Sequence, residues 1–224
     1  MEEISIKSKV WIAMLIGSAW GLSEVLIGML LKGTSVQYVN GSIMTGVAVL
    51  FISLAYGLLG KSRFLLIPLL MVIVLKLIDA FMLHLPVVHT SISNPIYAMV
   101  TELLVFVLIF SIIKNDLLNK IHGLAIAGAL YAIVAVTVFP LVKYFTGVPA
   151  CVVAGTNYPL ALYYSPVAVA LSAVTVPFGA LMSARIGEFL FADKVLPEKY
   201  SFRVDWILEG CTIALVAIAV LVRL

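Results

Sequence analysis

Seven runs of about 20 apolar residues follow one another along this chain, and they restrict its fold more than any other feature. A bilayer offers no hydrogen-bond partners to the backbone, so runs of this length predict transmembrane helices. The runs cover roughly residues 10–31, 42–59, 64–83, 96–113, 124–144, 166–186 and 204–222. Because 63% of the residues are hydrophobic and only 11% charged, little remains for a soluble domain. We therefore predict one transmembrane domain over residues 1–224, an all-α polytopic membrane helix bundle of six or seven spans in the cell membrane.

The basic residues predict how the helices are oriented. Most of them lie on connectors that fall on one face of the membrane: Lys7, Lys9, Lys61, Arg63, Lys114, Lys120, Arg185, Lys194, Lys199 and Arg203. The opposite face has only Lys32, Lys143 and Arg223. The positive-inside rule makes the first face cytoplasmic and places the amino terminus inside. The net charge of +3 is modest, and we attribute it to these basic connectors. No basic patch interleaves with aromatic residues, so nucleic acid is not an expected partner.

Four charged residues lie inside the predicted spans: Glu24, Lys76, Asp79 and Glu102. Each such charge costs about 2.5 to 3.5 kcal/mol near a helix centre on insertion scales, so pairing or a ligand must offset the cost. The predicted orientation places all four in the outer half of the membrane. Lys76 and Asp79 are three residues apart and share a helix face. We expect one polar cluster in the outer half, built from the first, third and fourth spans.

The outer connectors supply further candidate residues. They are polar and rich in Gly and Pro, which is typical of loops that close over a pocket. With the intramembrane charges they give a predicted substrate-binding set of Glu24, Lys76, Asp79, His84, Asn94, Glu102 and Asn157. In this set Lys76 would neutralise an anionic group, and the carboxylates would take a cationic group or a proton.

Two other interpretations of the same residues stay open. The charges could form a buried ion-pair network that fixes the helix register. A metal site is the other alternative, with His84, His89 and Asp79 as the candidate ligands and Glu102 beside them. The spacing of the two histidines matches no recognised ligand motif, so the metal is unknown. No cofactor is predicted.

Small residues recur at helical spacing in the first span, as Ala13, Gly17 and Gly21. Such rows let another helix approach closely. Together with the run Asn94-Pro95-Ile96-Tyr97-Ala98 and Glu102, this row resembles motifs in the substrate-binding S components of energy-coupling-factor transporters. The resemblance covers about the first two-thirds of the chain. It implies that Ala13, Gly17 and Gly21 contact a transmembrane coupling subunit, and that separate ATPase subunits supply energy.

The predicted function is membrane transport: binding of a small polar solute in an outward-facing pocket, as the substrate-binding subunit of an ATP-driven uptake system. A stand-alone carrier coupled to protons or cations, including metal ions, is the alternative. An integral membrane enzyme is the third possibility, although the chain has no Gly-x-Ser-x-Gly, His-Glu-x-x-His or phosphate-binding Gly-rich motif. The lipid bilayer and a small molecule or ion are the remaining expected partners.

Overall fold

The computed structural model of the protein describes residues 6–31, 39–60, 62–191 and 201–223, and these residues form a bundle of helices. The helices are α1 (Ile6–Leu31), α2 (Asn40–Leu59), α3 (Leu66–Met82), α4 (Thr90–Ile112), α5 (Asn115–Leu118), α6 (Ile121–Val138), α7 (Val142–Thr146), α8 (Leu160–Tyr163), α9 (Ser165–Phe191) and α10 (Ser201–Leu221). Short 3₁₀ turns precede α3 and join α6 to α7. In the described residues the only β-type pairing is an isolated bridge between Val152 and Pro159.

Six of these segments are long and apolar enough to cross a membrane, counted over the described part of the chain. They are Ile6–Leu31, Asn40–Leu59, Arg63–Met82, Thr90–Ile112, Ile121–Thr146 and Ser165–Phe189. Trp206–Leu221 is a shorter apolar helix that corresponds to the seventh predicted run. Large apolar side chains such as Phe81, Leu104 and Phe189 lie on the outside of the bundle, where lipid would cover them. The predicted all-α polytopic membrane bundle is confirmed.

The fourth span begins earlier than its apolar run indicates. The predicted fourth run begins at residue 96, but α4 starts at Thr90 and contains Pro95. The His89 side chain caps this end by accepting a hydrogen bond from the Ser91 amide at 3.3 Å. Pro95 is the sixth residue of the helix, so its missing N–H removes one i→i−4 backbone hydrogen bond without ending the helix. Asn94 is consequently a helical residue on the same helix as Glu102.

Small residues of α1 let this helix pack closely against α3. A Cβ on Gly17 would lie 2.8 Å from both the Cα and the carbonyl oxygen of Pro68, and a Cβ on Gly21 would lie 2.3 Å from a methyl group of Leu75. Ala13 is fully buried. The row predicted to contact a coupling subunit therefore packs inside this chain, which corrects that expectation: the small side chains serve an intramolecular helix contact.

Packing shows that α1 and α3 run in the same direction, because Gly17 lies against Pro68 and Gly21 lies against Leu75. Two ion pairs align α10 with these helices. At one end Lys7 of α1 pairs with Glu209 of α10 at 3.5 Å. At the other end Arg223, just after α10, pairs with Asp79 near the end of α3. On the other side of the bundle α2 and α9 pack closely, and the hydroxyl of Ser53 donates to the carbonyl of Val176 at 2.9 Å. These contacts bring the carboxyl ends of α1, α3 and α10 to one end of the bundle.

Candidate functional site

That end of the bundle contains a cavity of about 400 Å³. We call it the outer cavity, because the positive-inside rule predicts that this end faces outward. Its polar lining residues are Glu24, Asn40, Ser42, Thr45, Lys76, Thr90, Ser91, Asn94, Thr101 and Glu102. Its remaining lining residues are Gly28, Gly41, Met44, Pro95, Ala98, Met99, Ala135, Val136, Phe139, Cys151, Leu160 and Ala161. The structure thus brings four predicted site residues, Glu24, Lys76, Asn94 and Glu102, to one cavity.

One wall of the outer cavity is a single row on α4. Thr90, Asn94, Ala98 and Glu102 are four residues apart in sequence and line the cavity together. At 1.5 Å per residue the row extends about 18 Å along the helix. Because α4 runs inward from Thr90, Glu102 marks the deep end of the cavity and Asn94 lies nearer the mouth.

Glu102 is the most enclosed acid of the cavity wall, with only 5% of its surface exposed. Thr45 of α2 interacts with its carboxyl group, and Glu24 repels it. The Thr45 hydroxyl itself donates to the carbonyl of Gly41 at 3.1 Å. Tyr131 of α6 is fully buried within electrostatic range of Glu102, and its hydroxyl has no hydrogen-bond partner among the described residues. Glu102 therefore has polar neighbours from several helices, but none of them carries a positive charge.

Glu24 of α1 also lines the cavity and is only half-buried. Lys76 and Arg223 both attract its carboxylate. Trp20, one helical turn earlier, also interacts with this carboxylate, although its Nε1 makes no hydrogen bond of ordinary geometry within the described chain. Glu24 is thus electrostatically balanced by two cations of the same chain.

Asp79 lies behind the cavity wall and does not line it. It is 2% exposed, and its carboxylate pairs with Lys76 Nζ at 3.4 Å and with the guanidinium of Arg223. Burial lowers the pKa of Arg223 to about 10, which leaves the guanidinium charged at neutral pH. Asp79 therefore pairs with two cations and does not make the predicted contact with the cavity. These pairs form an ion-pair network around Asp79, of the kind considered from the sequence.

Two amide side chains at the cavity contain polar atoms without partners. The Oδ1 atoms of Asn40 and Asn94 are buried and accept no hydrogen bond from the described residues. Asn94 as a whole is 7% exposed. A buried polar group without a partner costs about 1 to 3 kcal/mol, so both atoms indicate a place where a ligand or water would bind.

The long connector between α7 and α9 borders the cavity. It folds back on itself through hydrogen bonds from Val153 N to Tyr158 O at 2.9 Å and from Leu160 N to Cys151 O at 2.8 Å. Cys151 lies on the cavity side of this hairpin. Asn157 lies exposed near its tip and does not line the cavity, so the structure does not bring this predicted residue to the site. Residues 32–38 of the first outer connector lie outside the described residues.

The two histidines of the α3–α4 connector have local structural roles. His84 adopts a left-handed backbone conformation (φ 52°) in the turn that ends α3, and its side chain is exposed. His89 caps α4. Within the described residues no group of three or more His, Cys, Asp or Glu side chains is arranged to hold a metal ion. Neither histidine lines the outer cavity.

Sequence reasoning missed the contribution of α2 and the role of Arg223. The start of α2 brings Asn40, Ser42 and Thr45 to the cavity. The polar residues at the start of the predicted second span were the signal available in the sequence. Arg223 was assigned to the outer face, but nothing in the sequence linked it to Asp79, about 140 residues earlier.

Comparison of the chain with protein-family models, with curated proteins and with solved structures finds no match.

Proposed function

We propose that this protein is a membrane transport protein of the cell membrane that binds a small polar solute in the outer cavity. The observation that supports this most is the meeting of Glu24, Lys76, Asn94 and Glu102, from three helices, at one cavity. Charged residues within membrane spans are costly, and they commonly mark ion or substrate pathways. The cavity lies at the end of the bundle opposite the basic connectors, which is the outer end under the positive-inside rule.

The size and lining of the cavity also support a small-molecule ligand. Its volume of about 400 Å³ falls within the range of small-molecule pockets. Met44, Met99, Val136 and Phe139 provide apolar surface, and the polar groups stand at a few fixed positions. That combination suits a solute with an apolar body and a small number of polar groups.

The source of energy separates two forms of this proposal. The sequence has no phosphate-binding Gly-rich motif, so uptake against a gradient would need an ATPase partner or an ion gradient. The outer cavity favours an S-component role. The row Ala13, Gly17 and Gly21 does not, because Ala13 is buried and α3 covers Gly17 and Gly21. A coupling subunit would therefore have to contact another face of the bundle, and purification from native membranes would identify such a partner.

Glu102 favours the stand-alone carrier as a second candidate. It is buried at the deep end of the cavity with no positive charge beside it among the described residues, and such a carboxyl group can take up a proton or a cation. Under this proposal, solute uptake into vesicles that contain only this protein responds to an imposed proton gradient. Uptake that requires a co-purified ATPase would contradict it.

Native mass spectrometry of the purified protein tests the binding function. We expect the wild type to retain a small molecule that dissociates on activation. Ala98→Phe places a ring on the cavity wall and should remove this bound mass. The matched control is Leu104→Phe on the same helix, at a position 64% exposed on the outside of the bundle. Equal occupancy in all three proteins, or no bound molecule in any, would contradict the proposal.

A further inference from the structure

The ionisable groups at the outer end are unequally balanced. Lys76 and Arg223 both pair with Asp79, and both attract Glu24. Glu102 takes part in no ion pair within the part of the chain that the structure describes; its neighbours are a hydroxyl group and a second carboxylate. Two cations thus compensate the charges of Asp79 and Glu24, whereas Glu102 has no such cation among the described residues.

This imbalance matters because Glu102 is almost completely enclosed. A carboxylate removed from water without a counter-charge or sufficient hydrogen bonds is strongly unfavourable. Glu102 nevertheless lines a cavity large enough for a small molecule. A positively charged group at the deep end of the cavity would supply the missing counter-charge.

The uncharged polar atoms of the cavity point to the same kind of ligand. The Oδ1 atoms of Asn94 and Asn40 are hydrogen-bond acceptors to which no described residue donates. Asn94 is 93% buried, and it lies about 12 Å from Glu102 along α4. The cavity is therefore rich in unsatisfied acceptors at two depths, and the apolar side chains of Met99 and Phe139 lie on its wall.

We propose, building on the function above, that the outer cavity selects a small organic cation. Its protonated amine or amidine binds Glu102 at the deep end, its apolar body contacts Met99 and Phe139, and a second N–H group nearer the mouth binds Asn94. Lys76 is not available as the main ligand contact, because Asp79 and Glu24 already balance its charge.

Benzamidinium, benzamide and benzoate test this charge preference. They share one ring and differ chiefly in charge. Cys151 lines the cavity, so protection of its thiol from a maleimide reports binding in a Cys211→Ser background. We expect benzamidinium to protect at the lowest concentration and benzoate at the highest. Benzoate protecting best, or equal protection by all three, would overturn the proposal, and this comparison needs no variant of the site.

Glu102→Gln tests the residue itself. Because this substitution removes a hydrogen bond between charged groups, benzamidinium protection should weaken by about tenfold or more. Benzamide protection should stay within about twofold. Glu188→Gln is the matched control, because Glu188 is exposed and its ion pair with Arg185 lies on the surface. An unchanged benzamidinium affinity in Glu102→Gln would overturn the proposal.

The two levels of the proposal fail differently. A bound solute found by mass spectrometry, without protection by benzamidinium, overturns the organic-cation class and leaves the transport function standing. The absence of both a bound solute and any protection overturns both.

Discussion

At the scale of single residues, Asp79 is the charge most firmly fixed by the protein. It is 2% exposed, and cations from two different helical segments contact it: Lys76 from its own helix and Arg223 from the end of α10. A buried carboxylate of this kind is tolerated only when its partners are in place. The pair with Arg223 therefore joins α10 to the rest of the bundle.

Arg223→Gln should lower the free energy of unfolding by about 2 kcal/mol or more, because Asp79 would keep its charge with one partner fewer. Reversible unfolding in mixed detergent micelles measures this change. Adding Asp79→Asn should recover part of the loss. Arg185→Gln is the control: its pair with Glu188 is exposed, so the change should stay below about 1 kcal/mol. Equal effects of the two arginine substitutions would contradict the described ion pair.

The sequence allowed the intramembrane charges to be predicted as one cluster, but not the partner of each. Helical spacing placed Lys76 beside Asp79, and topology placed Glu24 and Glu102 at a similar depth. Which carboxylate lines the cavity depends on the rotation of each helix, and periodicity does not fix that rotation in a helix that is apolar all round. Asp79 was therefore assigned to substrate, whereas it lies behind the wall.

At the scale of elements, two helices depart from expectation. α4 starts at Thr90 because His89 caps it. The small residues of α1 pack against α3 of the same chain. A row of small residues predicts that a helix approaches, but not whether that helix belongs to the same chain.

Gly17→Ala tests the contact between α1 and α3. The new methyl group would lie 2.8 Å from the Pro68 backbone, which cannot rotate away, so we expect a loss of about 1 to 3 kcal/mol in the free energy of unfolding. Gly210→Ala is the matched control, because nothing lies within 4 Å of its added methyl group and alanine favours the helix. Wild-type stability of Gly17→Ala in the isolated protein would show that the row is open to another subunit.

At the scale of the whole molecule, the ends of the bundle differ in charge and in shape. The basic connectors around Arg63, Lys114 and Lys120 lie at one end, and the outer cavity lies at the other. Hydropathy alone predicted the class of fold and nearly every span, because uninterrupted apolar runs have few alternatives to a membrane helix. The cavity was predicted only as a polar cluster, since its apolar wall comes from residues that any membrane helix could contain.

The central claim is that the cavity opens to the outside of the membrane, and the sidedness of Cys151 tests it most directly. Cys151 is exposed on the cavity side of its hairpin, whereas Cys211 lies in the middle of α10. In intact cells a membrane-impermeant maleimide should label Cys151, and Cys211 should react only after denaturation. Labelling of Cys151 only after the membrane is permeabilised would place the cavity on the cytoplasmic side and contradict the account.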